Sequence, residues 1–237
     1  MAQPSAPILS EQLLLSVTEQ LKLPLLQIAR QAELASLAKP ADISEIQTTA
    51  ESALRLIDSY VLGMRLSLDG QHELMLEPVS ISSVLYDTGQ QLNALAKFYG
   101  VKLELNIAGK FGPVLAHRQG LQAALTSLGS ALIEALPALE SPQLRLQLAT
   151  HRCRYGIVAG LYSDTETLTT EALRQGRKLH GRSRQPLVHV THASGAGIFV
   201  ADAILHAMRL KLQVSRHHNL YGLGAVLQPN HQLQLVS

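Results

Sequence analysis

The sequence predicts an α+β protein: a helical hairpin followed by an α/β sandwich with its helices on one face of a mixed sheet. Three observations predict it. Apolar residues recur at gaps of three and four through the first seventy residues, the helical period. From Glu77 onward short alternating apolar runs take over, bounded by glycine and proline. Longer helical-period segments are set among those runs.

The elements follow in order. Ser10 is placed as the first N-cap, with Glu11 at the positive end of its helix. The stripe Leu14, Val17, Leu21, Leu25, Ile28, Ala32, Ala35 follows. Pro24 lies inside it and removes a backbone bond at a cost of about 3 kcal/mol, so a kink is expected. Lys39-Pro40-Ala41 ends the helix. Asp42 caps the second one, and Glu45 completes a capping box. The second stripe runs Ile43, Ile46, Ala50, Ala53, Ile57, Tyr60, Met64. One hairpin cannot bury both narrow stripes, which points to a homodimer closing a four-helix bundle. Asp69-Gly70 breaks the second helix, and the expected domains are 1–72 and 76–237.

Positions 78–81 read as an edge strand, 83–98 as a helix ended by Gly100, and 101–107 as a half-buried strand. A short strand at 114–115 precedes a helix over 119–136, ended by Pro137. Strands are expected where Leu144, Leu146 and Leu148 alternate and over 154–162. A polar, basic stretch occupies 163–185, and 187–190 is apolar. A helix over 195–208 opens on glycines, and strands at 212–214, 224–227 and 233–236 complete the sheet.

Composition narrows the function. The chain of 237 residues is 46% hydrophobic and 16% charged, with no tryptophan, so an aliphatic core is expected. A net charge of +2 gives no global reason for nucleic-acid binding. The single Cys153 allows no internal disulfide, and a reducing, cytoplasmic setting is expected. No apolar run approaches the ~20 residues that span a bilayer, and 1–10 lacks a signal-peptide pattern. Of the ten histidines, His189 and His192 lie near a strand end, and the adjacent His217 and His218 should diverge across a strand. No cysteine or acid joins them at ligand spacing, so no metal site is expected. A Gly-x-Ser-x-Gly turn is also lacking.

Four motifs carry a family resemblance. Ser16-Val17-Thr18-Glu19-Gln20-Leu21-Lys22-Leu23-Pro24-Leu25 resembles the histidine-kinase H box, Ser-x-x-His-Glu-Leu-Lys-Thr-Pro-Leu, with Glu19 at the phosphoacceptor position and Gln20 at the acidic neighbour. The segment 114–136 resembles the N box, whose two asparagines are replaced by Ser127 and Ser130. The stretch 155–167 lies where the family places Asp-x-Gly-x-Gly; it holds Gly160 and one acid, Asp164. Ser194-Gly195-Ala196-Gly197-Ile198 resembles the Gly-Leu-Gly-Leu turn that opens a helix. Glycines there permit phosphate approach or close helix packing, and with the partner groups missing packing is favoured. The basic run Arg174, Arg177, Lys178, His180, Arg182, Arg184 falls at the family's ATP lid.

The resemblance implies a dimerisation hairpin and an ATPase domain of the histidine-kinase (Bergerat, GHKL) type. It also implies what is missing. A carboxylate at position 19 offers no imidazole nucleophile, and serine hydroxyls are poor replacements for the Mg²⁺-holding asparagine. The expected protein is a degenerate, pseudokinase-like bacterial signalling scaffold without a cofactor. It would dock a response regulator or histidine kinase in a two-component phosphorelay through Glu19, Gln20 and Lys22. Two alternatives remain. One is a divergent kinase that binds ATP and Mg²⁺. The other is a module whose Arg177, Lys178 and Arg182 contact an acidic partner or nucleic acid, although no stacking aromatics accompany those charges.

Overall fold

The computed structural model describes residues 18, 21, 24–34, 43–69, 74–107, 109, 111–135, 145–164 and 194–230. Helix α1 is described at 18, 21 and 24–34, so helical residues lie on both sides of Pro24, which is buried. Then come α2 (Ile43–Asp69), β1 (Glu77–Val79), α3 (Ile81–Phe98), β2 (Lys102–Ile107), β3 (Val114–Ala116) and α4 (Arg118–Ala135). After them follow β4 (Arg145–Cys153), β5 (Gly156–Ser163), α5 (Ser194–Ala207), β6 (Leu212–His217) and β7 (Leu220–Leu227). No described helix is long and apolar enough to cross a membrane.

Local chemistry sets the boundaries. The edge strand expected through Ile81 stops at Val79, because the Ser80 side chain caps α3 by accepting from the Ser83 amide at 3.5 Å. Gly100 closes the same helix at φ 66°, a left-handed position that glycine adopts at no steric cost. The Val101 amide then donates back to the Ala96 carbonyl at 2.8 Å.

Five strands form one mixed sheet in the order β2-β4-β5-β7-β6, and β1 pairs with β3 beside it. Only the β2–β4 ladder of the large sheet is parallel. Alternation sends Leu146, Leu148, Ile157, Ala159, Leu161, Leu223 and Ala225 into the main core. There they meet Leu85 and Leu92 of α3, Leu121, Leu125 and Leu128 of α4, and Ile198 and Ile204 of α5. The β6–β7 hairpin is longer than its apolar runs suggested, since half-exposed residues pair as readily as buried ones.

The hairpin helix α2 shares this core. Tyr60 belongs to the buried cluster, with Leu62 and Leu66 packed on it. Ala53 is buried too, whereas Ile43, at the head of the expected bundle stripe, is exposed. Ala53 and Tyr60 of that stripe are therefore spent within the chain, while Ile46, Ala50 and Ile57 are half-buried. A second row that shares Ile43 and continues through Leu54 and Val61 stays open to solvent. Its spacings of eleven and seven keep it on one helix face.

Candidate functional site

Helix α4 carries Ser127 and Ser130, the serines expected from the sequence resemblance to replace the N-box asparagines. Ser127 is 2% exposed and Ser130 3%. At Ser127 the helix is covered by α5. A Cβ on Gly197 would lie 2.5 Å from the Ser127 carbonyl oxygen and 2.8 Å from the Ala131 Cβ. The glycine is thus required for the contact itself: two helices touch nearly backbone to backbone. On the opposite flank of α4, a Cβ on Gly129 would overlap Leu92 of α3.

The Ser127 Oγ has no hydrogen-bond partner among the described residues. Such a hydroxyl costs about 1–3 kcal/mol relative to a satisfied one. Ser127→Ala is therefore expected to leave stability unchanged or raise it by up to about 1 kcal/mol. Ser127→Asn, which introduces the residue of the motif that this segment resembles, should lower it by about 2 kcal/mol through overpacking. Urea midpoints measure both, and a stabilised asparagine variant would contradict the sealed contact.

Helix α2 closes the outer side. A Cβ on Gly63 would lie 3.1 Å from Val200 Cγ1 on α5. Tyr60 lies near Glu134 at the end of α4, and its hydroxyl pKa is raised first by burial, then by the Glu134 charge. The same causes in the same order push Tyr99 up to about 12.

The other sequence candidates are dispersed. Gly195 lies in the first turn of α5. Gly160 is in β5 but faces away from the helices, where a Cβ would lie 2.6 Å from the Leu223 carbonyl oxygen. It does not join Ser127 and Gly197, because strand side chains alternate and Leu161 is the residue facing α4. Asp164 is exposed, one residue past the end of β5. Glu19, Gln20, Lys22, Arg177, Lys178, Arg182, the strand expected at 233–236, and His189 and His192 lie outside the described residues.

The sheet's far face holds a cluster that the sequence reading missed. His151 and His217 stack at 5.3 Å between ring centroids, and His217 meets His218 at 4.4 Å. The expectation that His217 and His218 diverge fails. His218 occupies the tight β6–β7 turn at φ 52°, which brings its ring back beside its neighbour. Asn106 Nδ2 lies 3.3 Å from His217 Nε2, although β2 and β6 are opposite edges of the sheet. The sheet is therefore curled so that its far face is concave. Gly160, Gly222 and Gly224 floor the bend, as glycine does where strands turn sharply. Tyr162 joins the cluster, donating to Ser215 Oγ at 3.3 Å, and burial pushes its hydroxyl up to about 12. Burial lowers the pKa of both His151 and His217, and the charge on His218 adds to it. The one signal in the sequence was His218-Asn219 between two apolar runs, a two-residue hairpin turn.

No protein-family model matches this sequence, and no curated protein matches it. Among solved structures, full-length ShkA in complex with AMPPNP is similar with a TM-score of 0.53 at 14% identity, over 90% of this chain and 46% of that one. The histidine kinase AdeS of Acinetobacter baumannii gives 0.49 at 16% identity, over 89% of this chain and 98% of that one. A bacterial phosphotransferase gives 0.46 at 14% identity, over 94% and 98%. The likeness is one of fold: the chain has the histidine-kinase fold, with an ATPase-type mixed sheet and its covering helices.

Proposed function

We propose that this chain is a non-catalytic, dimeric scaffold or adaptor for a two-component or phosphorelay pathway. The observation that carries the proposal is the contact of α5 with α4. Gly197 abuts the Ser127 carbonyl, Ser127 and Ser130 are buried, and α2 lies against α5 at Gly63. Residues at the expected metal and phosphate positions thus serve helix packing. Their hydroxyls also lack the carbonyl oxygen that Mg²⁺ coordination uses in the family. Glu19 at the phosphoacceptor position supplies no imidazole. It would instead present a fixed negative charge to a receiver domain, with Gln20 and Lys22 beside it.

The exposed row Ile43, Leu54, Val61 on α2, together with the exposed Leu25 and Leu26 on α1, supports dimerisation. Apolar rows of this kind on paired helices are covered in four-helix bundles.

Full-length ShkA was solved with AMPPNP, which makes that nucleotide the direct probe. Calorimetry with AMPPNP or ATP and Mg²⁺ is expected to give no saturable heat, while the same sample sediments as a dimer. Micromolar affinity, or label passing from ATP to the protein, would overturn the non-catalytic reading. A monomer would overturn the dimeric one.

A further inference from the structure

We propose that the rim of the sheet's concave face is a binding site for a small organic phosphate, a monoester whose charged group is taken by Arg152, Arg216 and the imidazoles of His151, His217 and His218. The site is remote from the α4–α5 contact, and its argument does not use the proposed function.

The cavity has a volume of about 460 Å³ and is lined by Phe111, His151, Arg152, Arg216, His217 and His218, with Gly109 at its edge. That volume lies in the range of small-ligand pockets, roughly 300–1,000 Å³. Among the described residues no acidic one lines it. The strands end here, so residues from both faces of β4 and β6 reach it. The Arg152 guanidinium lies 5.7 Å over the Phe111 ring, and that of Arg216 lies 4.5 Å over the Tyr221 ring. Stacking engages the face of the Arg152 guanidinium, whereas its N–H donors lie in the plane, the geometry that reads phosphate oxygens in pairs; Arg216 adds a second positive charge.

Two further observations point to a ligand. His151 Nδ1 is buried without a hydrogen-bond partner among the described residues. His218 is held at φ 52°, a left-handed position that glycine adopts without strain and a side chain does not. The strained residue is the one that adds the third imidazole.

Three imidazoles this close repel one another when protonated. Burial and that repulsion keep His151 and His217 below the ordinary histidine range. Cys153, Tyr162 and His218 are the other titratable groups around the pair, and Arg152 and Arg216 are the nearby cations. On β2, Glu104 faces the same side but is paired with Lys102 at 3.0 Å and Arg145 at 2.7 Å. A bound dianion offsets the repulsion, so binding draws protons in and strengthens as pH falls. Asn106 can follow by turning its amide, donating to a neutral His217 and accepting from a charged one. A cation is the wrong guest: two guanidiniums line the cavity, and among the described residues no three His, Cys, Asp or Glu side chains are placed to hold a metal ion. The Phe111 and imidazole faces favour an organic carrier over the bare ion.

The probe is phenyl phosphate, titrated into the full chain by calorimetry and by NMR of the histidine ring protons, with inorganic phosphate as the second arm. Saturable binding is expected at about pH 6, with proton uptake, and should be about ten-fold weaker at about pH 8. Arg152→Gln and Arg216→Gln, both exposed residues, should each weaken it about ten-fold while the chain still unfolds in one cooperative transition. Inorganic phosphate should bind more weakly than the ester. Absence of saturation, parental affinity in the double variant, binding that is stronger at high pH, or equal affinity for the bare ion would each overturn the proposal.

Discussion

Gly197→Leu is expected to abolish the native packing of the helical layer. Even a methyl group at this position would sit 2.5 Å from the Ser127 carbonyl oxygen and 2.8 Å from the Ala131 Cβ, both inside van der Waals contact. The near neighbour is backbone of a buried helix, which cannot rotate away as a side chain could. Nor can α5 retreat, because Val200 already lies against α2 at Gly63, 3.1 Å from the Cβ position. The expected loss is about 4 kcal/mol or more for leucine and about 2 kcal/mol for alanine. Against a typical stability of about 5–15 kcal/mol, the leucine variant should lose much of its cooperative urea transition. Gly89→Ala supplies the control. Gly89 is also helical, but nothing lies within 4 Å of its Cβ position. Helix propensity alone should therefore stabilise that variant by up to about 1 kcal/mol. Opposite signs at two helical glycines separate packing from propensity. A Gly197→Leu protein that melts with the parent would show that α4 and α5 are not in contact in solution.

The same pair of helices shows what a sequence can and cannot disclose. The periodicity of α3, α4 and α5 was legible to within two residues at each end, since apolar spacing and the stops at Gly100 and Pro137 are local signals. That Ser127 and Gly197 meet was suggested only by resemblance to a known arrangement. Gly160 was grouped with them because a motif position says nothing of which side of a strand a residue faces. On α2 the sequence pattern points one apolar stripe at a partner chain, yet Ala53 and Tyr60 are buried and Leu54 is 60% exposed. A helix with two apolar faces gives no local sign of which face meets the chain's own sheet. The histidine cluster was invisible for a related reason. His151 and His217 are 66 positions apart in sequence, and only the curl of the sheet brings them to 5.3 Å.

Tyr60→Ala should reveal whether hairpin and sandwich fold as one unit. The ring is 3% exposed and packs in the cluster that also holds the β4 and β5 leucines. Its deletion leaves a cavity at a junction shared by α2, α4 and α5, and the expected cost is about 3–5 kcal/mol. Since α2 and the sheet share one core, the loss should appear in both. Amide exchange in β5 and in α2 should accelerate together, and the urea transition should shift as a single step. Tyr60→Phe keeps the ring in place and is expected to cost only about 1 kcal/mol, which assigns the larger effect to packing rather than to the hydroxyl. If the hairpin were a separate domain, Tyr60→Ala would loosen α2 and leave β5 exchange at its original rate. In that case a partner on the hairpin could not be sensed by the sheet. If exchange rises in both, a protein docked on the exposed row of α2 has a direct mechanical route, through Tyr60 and the Gly63–Val200 contact, to the helices that cover the sheet.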